Sequence, residues 1–220
     1  MTLPKYNKIK NILIKSLNDY DISKFTKNEI NFFNNKNILI TGASGIIGIN
    51  LIFLLNKIIE EKKCNITIDG VYKTSLFHFV IDYFKKKKKI NFFKIDLIKK
   101  KIKHKKYDLI FHCAGYAQPY KFLKYKESTY KLNSSVIMSL KKNLKKNSKF
   151  IFISSTEIYS GNTKMCTEKD IGNTSTDHPR SAYIDSKKFG ESYIINFFKN
   201  YIIFRACLIY GVGAKLNDER

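Results

Sequence analysis

The sequence predicts a doubly wound α/β fold, a parallel sheet with helices on both faces, preceded by a helical extension. Three observations carry this. From Lys36 onward, short apolar runs alternate with longer helical patterns. The runs are rich in Ile and Phe and continuously apolar, as expected of parallel strands covered on both faces. The first run ends in a glycine-rich turn that leads straight into a helical pattern, Thr41-Gly42-Ala43-Ser44-Gly45-Ile46-Ile47-Gly48.

The elements follow in order. Residues 1–35 read as a helical N-terminal extension, because Tyr6, Ile9, Leu13 and Leu17 recur near helical spacing without any strand pattern. Residues 36–220 read as one nucleotide-binding domain. Its strand-like runs are 37–41, 66–72, 90–93, 109–113, 150–154 and 202–206. Helical patterns fill about 45–60, 75–86, 120–146 and 181–199, and right-handed crossovers between parallel strands make the fold. The three prolines, Pro4, Pro119 and Pro179, interrupt none of these elements.

Composition bounds the function. At 44% hydrophobic and 14% aromatic residues over 220 positions, the chain can bury one good core. The net charge of +23 comes from 38 lysines and only three arginines, Arg180, Arg205 and Arg220. Nucleic-acid readers favour the arginine fork, so the charge argues for no nucleic-acid partner. The densest stretch, residues 85–106, holds twelve lysines against Asp96 alone. It reads as a solvated helix end and loop, with a binding patch as the alternative. Cys64, Cys113, Cys166 and Cys207 form no Cys-x-x-Cys pair, which argues against a metal site or a disulfide framework. Cys113 and Cys207 fall in apolar runs that read as buried strands. The N-terminus lacks the apolar core of a signal peptide, and the longest apolar stretch, 46–59, is too short and polar for a bilayer span. These readings predict a cytoplasmic protein with no membrane partner.

The turn has the chemistry of a dinucleotide site. Gly42 supplies backbone freedom, Gly45 lets the chain approach a pyrophosphate, and Gly48 lets the next helix pack closely. Ser44, Ile46 and Ile47 complete the loop and helix start, whose free N–H groups and positive dipole end suit phosphate. No carboxylate stands at the tip of the second strand, where Lys73 follows Tyr72; NAD and NADP both stay open there. Asp96 and Leu97, past the third strand, stand where an adenine is met, and Asp96 equally suits a helix N-cap. Ala114 and Gly115 let the end of the fourth strand run close to a cofactor. His112, within that strand, reads as packed.

A second constellation lies downstream. Tyr183 and Lys187 are four apart and share a helical face. An ammonium beside a phenol favours the phenolate and makes Tyr183 a usable base near neutrality. The strand 150–154 opens into Ser155, Thr156 and Glu157, at the carboxyl end where such sheets place ligands. A hydroxyl there is placed to share a hydrogen bond with Tyr183 and a substrate hydroxyl.

With these residues assembled, the chain resembles the extended short-chain dehydrogenase/reductases, in their nucleotide-sugar epimerase, dehydratase and decarboxylase branch. The resemblance runs from about residue 36 to the end. It rests on residues 41–48, His112-Cys113-Ala114-Gly115, Ser154-Ser155-Thr156-Glu157-Ile158-Tyr159, Tyr183-Ile184-Asp185-Ser186-Lys187 and Arg205-Ala206-Cys207-Leu208-Ile209-Tyr210-Gly211. The approach to Tyr183 from Gly172 resembles that of UDP-glucuronate decarboxylase-like members, and Gln118-Pro119 resembles a substrate-side loop.

The resemblance implies a Rossmann-like fold, NAD as cofactor and a homodimer packed through the helices at 120–146 and 181–199. By motif it makes Ser155, Tyr183 and Lys187 catalytic, with Thr156 and Glu157 beside them and Gln118 and Arg180 on the substrate side. Glu157 falls where dehydratases and decarboxylases carry an acid. The implied reaction is oxidation of a nucleotide-sugar C4 hydroxyl to a 4-ketone, in surface polysaccharide synthesis. Against the resemblance, the sequence is expected to lack the family's C-terminal substrate lobe, and Leu208 replaces an Asn common before the Tyr-Gly pair. A truncated, non-catalytic dinucleotide-binding remnant or interaction protein is therefore the rival expectation.

Overall fold

The computed structural model describes residues 3–74, 76, 78–103 and 105–213. The last stretch of the predicted domain, from Lys215 to Arg220, lies outside the described residues, as do the side chains of Tyr6 and Ile9. The chain divides into two compact units, residues 1–95 with 210–219 and residues 96–209 with 220.

In the first unit, α1 (Leu3–Asn18) and a 3-10 turn (Ile22–Lys24) precede α2 (Lys27–Phe33). A capping box starts α2: Thr26 and Glu29 satisfy each other's backbone N–H. Three parallel strands follow in the order β3-β2-β1: β1 (Lys36–Thr41), β2 (Ile66–Tyr72) and β3 (Ile90–Lys94). The helices α3 (Ile46–Lys62) and α4 (His78–Phe84) connect them. Leu17 of α1 is buried, and the α1 end is tied to α3 and α4 by bonds from Lys57 Nζ to Asn18 O (3.2 Å) and Tyr83 Oη to Asn18 Oδ1 (3.1 Å). Phe53 stacks on Tyr83 and meets Phe84 edge-on, with centroids 5.2 and 4.9 Å apart. Each such pair adds about 0.5–1.5 kcal/mol beyond its buried area.

In the second unit three parallel strands run β4-β5-β6: β4 (Tyr107–His112), β5 (Leu144–Ser155) and β6 (Tyr201–Ala206). Between β4 and β5 lie α5 (Pro119–Lys124), α6 (Lys126–Asn133) and α7 (Ser135–Lys141). A 3-10 turn (Thr156–Tyr159) extends β5, and α8 (Ser181–Phe197) leads to β6. Parallel strands joined by helical crossovers make this a Rossmann-like doubly wound α/β fold.

Four expectations need correction. The single helix at 120–146 is three short ones, because Tyr125 (φ −112°, ψ 51°) and Ser134 (φ −127°, ψ −91°) leave the helical region. Its last residues belong to β5, whose polar opening Lys145-Lys146-Asn147-Ser148 hides the strand; Asn147 (φ 61°) bends it. The helix at 75–86 is shorter, and Ser75 and Phe77 lie outside the described residues. Apolar continuity misleads at β3 and β6, where Phe93 and Phe204 are exposed. Each of those strands pairs with a single neighbour among the described residues. Finally, Cys113 lies one residue past β4 and is half-buried, while Cys207 follows β6 and is exposed.

Candidate active site

The dinucleotide turn belongs to the first unit. Gly42 has φ 69°, a conformation that costs an L side chain strain. Its carbonyl accepts the Gly45 N–H at 2.8 Å, and Ala43 N–H ties the turn to Val71 O at 2.9 Å. A Cβ on Gly48 would lie 2.4 Å from Gly42 O and 2.9 Å from Ala43 Cα, so the helix closes on the turn itself. A Cβ on Gly45, at the exposed edge of the turn, would lie 3.2 Å from Gly42 O, a tight fit that glycine avoids. Gly45 is the N-cap of α3, and the first intrahelical bond runs from Ile49 N–H to Gly45 O (3.0 Å). The N–H groups of Ile46, Ile47 and Gly48 precede that bond, at the positive end of a 17-residue helix, beside Ser44. This is a cradle of the shape and polarity a pyrophosphate requires.

The second unit holds the catalytic candidates. Tyr183 and Lys187 lie on α8 and both are buried. Ser155 ends β5, where its hydroxyl accepts the Glu157 N–H at 3.2 Å and lies close enough to Tyr183 to act on its phenol. Thr156 opens the 3-10 turn next to it. Glu157 accepts from Arg180 Nη1 at 2.6 Å. Phe122 of α5 stacks on the Tyr183 ring (4.4 Å, 14°) and lies 5.5 Å from the Arg180 guanidinium. Gln118, the N-cap of α5, therefore heads the helix that presses Phe122 against Tyr183. Gly115 approaches Lys187: a Cβ there would lie 3.8 Å from Nζ, with Ala114 adjacent.

The electrostatics differ from the sequence expectation. Burial pushes the Tyr183 phenol up, the Ser155 hydroxyl works the other way, Glu157 raises it further and Arg180 lowers it. Lys187 is the group brought down, by its own burial, from 10.5 to about 7. Its Nζ donates to Ile153 O at 2.7 Å, 4.6 Å from the Phe152 ring centroid and 5.9 Å from that of Tyr183. Shared helical face thus brings the two side chains near without making the ammonium the phenol's neighbour. His112 is packed as expected, with Nε2 2.9 Å from Leu132 O and its ring stacked on Phe152; burial pushes it down to about 4.

Asp96 caps a turn rather than a helix. Its Oδ1 accepts the Ile98 N–H at 3.1 Å and its carbonyl takes those of Lys99 and Lys100, with Leu97 inside the turn.

The sequence reading missed an ion-paired support. Glu191 accepts from Arg205 Nη2 at 2.7 Å and from Nε at 3.1 Å, and Arg205 Nη1 donates to Tyr159 Oη (2.9 Å) and Glu168 O (2.6 Å). This ties β6, α8 and the turn carrying Glu157 together. A signal existed: Glu191 is four residues past Lys187 and eight past Tyr183, on the same helical face. Phe122 left no comparable signal, since its partner is sixty residues away in sequence.

A glycine cradle at a helix start and a buried Tyr–Lys pair on a later helix are the features expected of an α/β fold of the short-chain dehydrogenase/reductase class. Residues 38–220 match the NAD dependent epimerase/dehydratase family, and the chain belongs to that family. None of the curated proteins matches it at the sequence level. Among solved structures, it is similar to an epimerase from Methanothermobacter thermautotrophicus (TM-score 0.62, 20% identity, covering 81% of this chain and 53% of that one). The UDP-glucuronic acid 4-epimerase of Bacillus cereus, in complex with UDP-glucuronic acid and NAD, aligns at TM-score 0.58 and 22% identity over 77% and 55%. The UDP-Glc/GlcNAc 4-epimerase of Campylobacter jejuni aligns at 0.58 and 21% over 84% and 59%. The chain therefore spans between half and three fifths of the length of these structures. Among the described residues, no helix is long and apolar enough to cross a membrane.

Proposed function

We propose that this chain is the cofactor-binding and catalytic portion of an NAD-dependent nucleotide-sugar epimerase or dehydratase that oxidises a sugar C4 hydroxyl to a 4-ketone. The observation that carries the reading is Tyr183, buried on α8 one helical turn from a buried lysine, with the Ser155 hydroxyl at the end of β5 acting on its phenol. The glycine cradle fits NAD: Gly42, Ser44, Gly45 and the N–H groups of Ile46, Ile47 and Gly48 would take its phosphates. Asp96 and Leu97 would serve the adenine end, and Ala114, Gly115, Tyr183 and Lys187 the nicotinamide end. When bound, NAD supplies the hydride acceptor, chemistry that no side chain offers.

This chain's own residues supply position and proton transfer. Tyr183 takes the proton of the C4 hydroxyl while Ser155 holds that hydroxyl against it. Lys187, as an ammonium, would favour the phenolate; burial places its titration near neutrality, so its charge responds to what binds beside it. Glu157 holds Arg180, and with Thr156 stands where an acid or base is needed once a 4-ketone has labilised the neighbouring carbon. Gln118 and Arg180 face the sugar nucleotide in this reading. Phe189, Ile195 and Phe197, exposed on α8, support a homodimer through that helix. Cytoplasmic surface-polysaccharide synthesis is the setting this chemistry suits.

The test is incubation of the chain with NAD+ and a panel of UDP-hexoses and UDP-hexuronates, with products resolved by NMR, beside Tyr183→Phe. A new sugar nucleotide formed by the parent chain and absent with Tyr183→Phe supports the proposal. Equal products from both would sink it.

A further inference from the structure

A basic cleft opens elsewhere in the second unit. It has a volume of 270 Å³ and lies where β4 and β5 begin, the end of those strands opposite to Ser155. Lys101, Lys105, Lys106 and Lys142 line it together with Ile102, Ser139 and Asn143, and no carboxylate lines it among the described residues. The lysine-rich stretch 85–106 contributes three of those four cations. The walls are fixed rather than incidental. Buried Asn143 donates from Nδ2 to Ile102 O (3.2 Å) and Lys105 O (2.8 Å), and its carbonyl accepts the Tyr107 N–H (2.8 Å). Lys106 Nζ donates to Lys142 O across the same corner.

We propose that this cleft binds an oligophosphate chain, as carried by inorganic polyphosphate or by a nucleoside triphosphate. Four lysines around one concavity gather like charge, and a multivalent anion relieves the repulsion between them. The volume holds several oxyanion groups, at about 30 Å³ for each water displaced. Among the described residues no aromatic ring lines the cleft for a nucleobase to stack on, and the cations are lysine point charges rather than arginine forks. Both features select the phosphate chain over a nucleic acid. The site shares no lining residue with the proposed active site.

The experiment is titration calorimetry of the 220-residue chain with tripolyphosphate and with ATP, against chloride at matched ionic strength. The comparison variants are Lys101→Gln/Lys142→Gln and, removing equal charge elsewhere, Lys85→Gln/Lys86→Gln. Expected is binding that weakens at least tenfold in the first variant and less than twofold in the second, with the NAD+-induced melting shift unchanged in both. Tighter ATP than tripolyphosphate would identify a nucleotide source, and equal affinities an inorganic one. Equal weakening in both variants would reduce the binding to diffuse net charge and overturn the proposal. So would no binding at matched ionic strength, or single-stranded RNA bound more tightly than tripolyphosphate with the same dependence on Lys101 and Lys142. The glycine turn is also a phosphate acceptor, so failure there appears as a lost NAD+ shift with the lysine dependence intact.

Discussion

Replacing Lys187 with methionine separates the price of a buried cation from its use. Burial takes Lys187 from 10.5 to about 7 in the folded chain. Three and a half pH units at about 1.4 kcal/mol each give a cost near 5 kcal/mol for holding the ammonium in place. The sign follows from proton counts. Between pH 7 and 10.5 the unfolded chain holds this proton and the folded chain does not, so the group's contribution to stability rises with pH there. Below pH 7 both states are protonated and the full cost is present. Methionine removes that cost and also the 2.7 Å bond to Ile153 O, a loss of about 1–3 kcal/mol. Lys187→Met is therefore expected to be more stable than the parent by about 2–4 kcal/mol at pH 6, combining those two figures. The advantage should shrink steadily from pH 7 to 10 as the parent's lysine is neutralised. Urea unfolding of both proteins at pH 6, 7, 8 and 9 measures the difference and cancels the other lysines. A difference that does not vary with pH, or a variant less stable at pH 6, would refute the account of Lys187 as a desolvated cation. The same variant should make no product from any nucleotide-sugar.

Other expectations are as direct. Gly48→Ala puts a methyl 2.4 Å from the Gly42 carbonyl, so a loss of about 3 kcal/mol in urea unfolding is expected along with NAD+ binding; an unchanged midpoint would contradict the packing described. Glu191→Gln leaves the largely buried Arg205 guanidinium without its carboxylate, with only Tyr159 Oη and the Glu168 carbonyl to accept from it, and should cost about 3 kcal/mol; a cost under about 1 kcal/mol would make the pair incidental. Tyr183→Phe keeps the stack on Phe122, so the melting temperature should hold while turnover disappears; retained turnover would remove Tyr183 from the chemistry.

Local chemistry made much of this legible in advance. The strand-turn-helix at residues 36–48 combines an apolar run, a positive-φ glycine and a glycine that no larger residue can replace, all within a dozen positions. The placement of Tyr183 and Lys187 on one helix and of Ser155 at a strand's end was readable because helical spacing and a strand's polar end are both local patterns. What stayed hidden depends on partners distant in sequence. The breaks at Tyr125 and Ser134 preserve helical periodicity while turning the chain, and the polar start of β5 resembles a loop. The exposure of Phe204 follows from strand neighbours, which hydrophobicity does not encode. The inversion at the Tyr–Lys pair is instructive in the same way: spacing gives proximity, but burial decides which of the two groups moves.

The central claim is that the glycine turn and the Tyr183 helix serve NAD. Thermal melting of the purified 220-residue chain with and without NAD+ tests it most directly. At a hundredfold excess over Kd, ligand bound only by the native state adds about 2.7 kcal/mol, which raises the transition by several degrees. The account predicts that rise for the parent chain, and its disappearance in Gly48→Ala wherever that variant still melts cooperatively. A cooperative transition of the parent chain that is blind to NAD+ would contradict it.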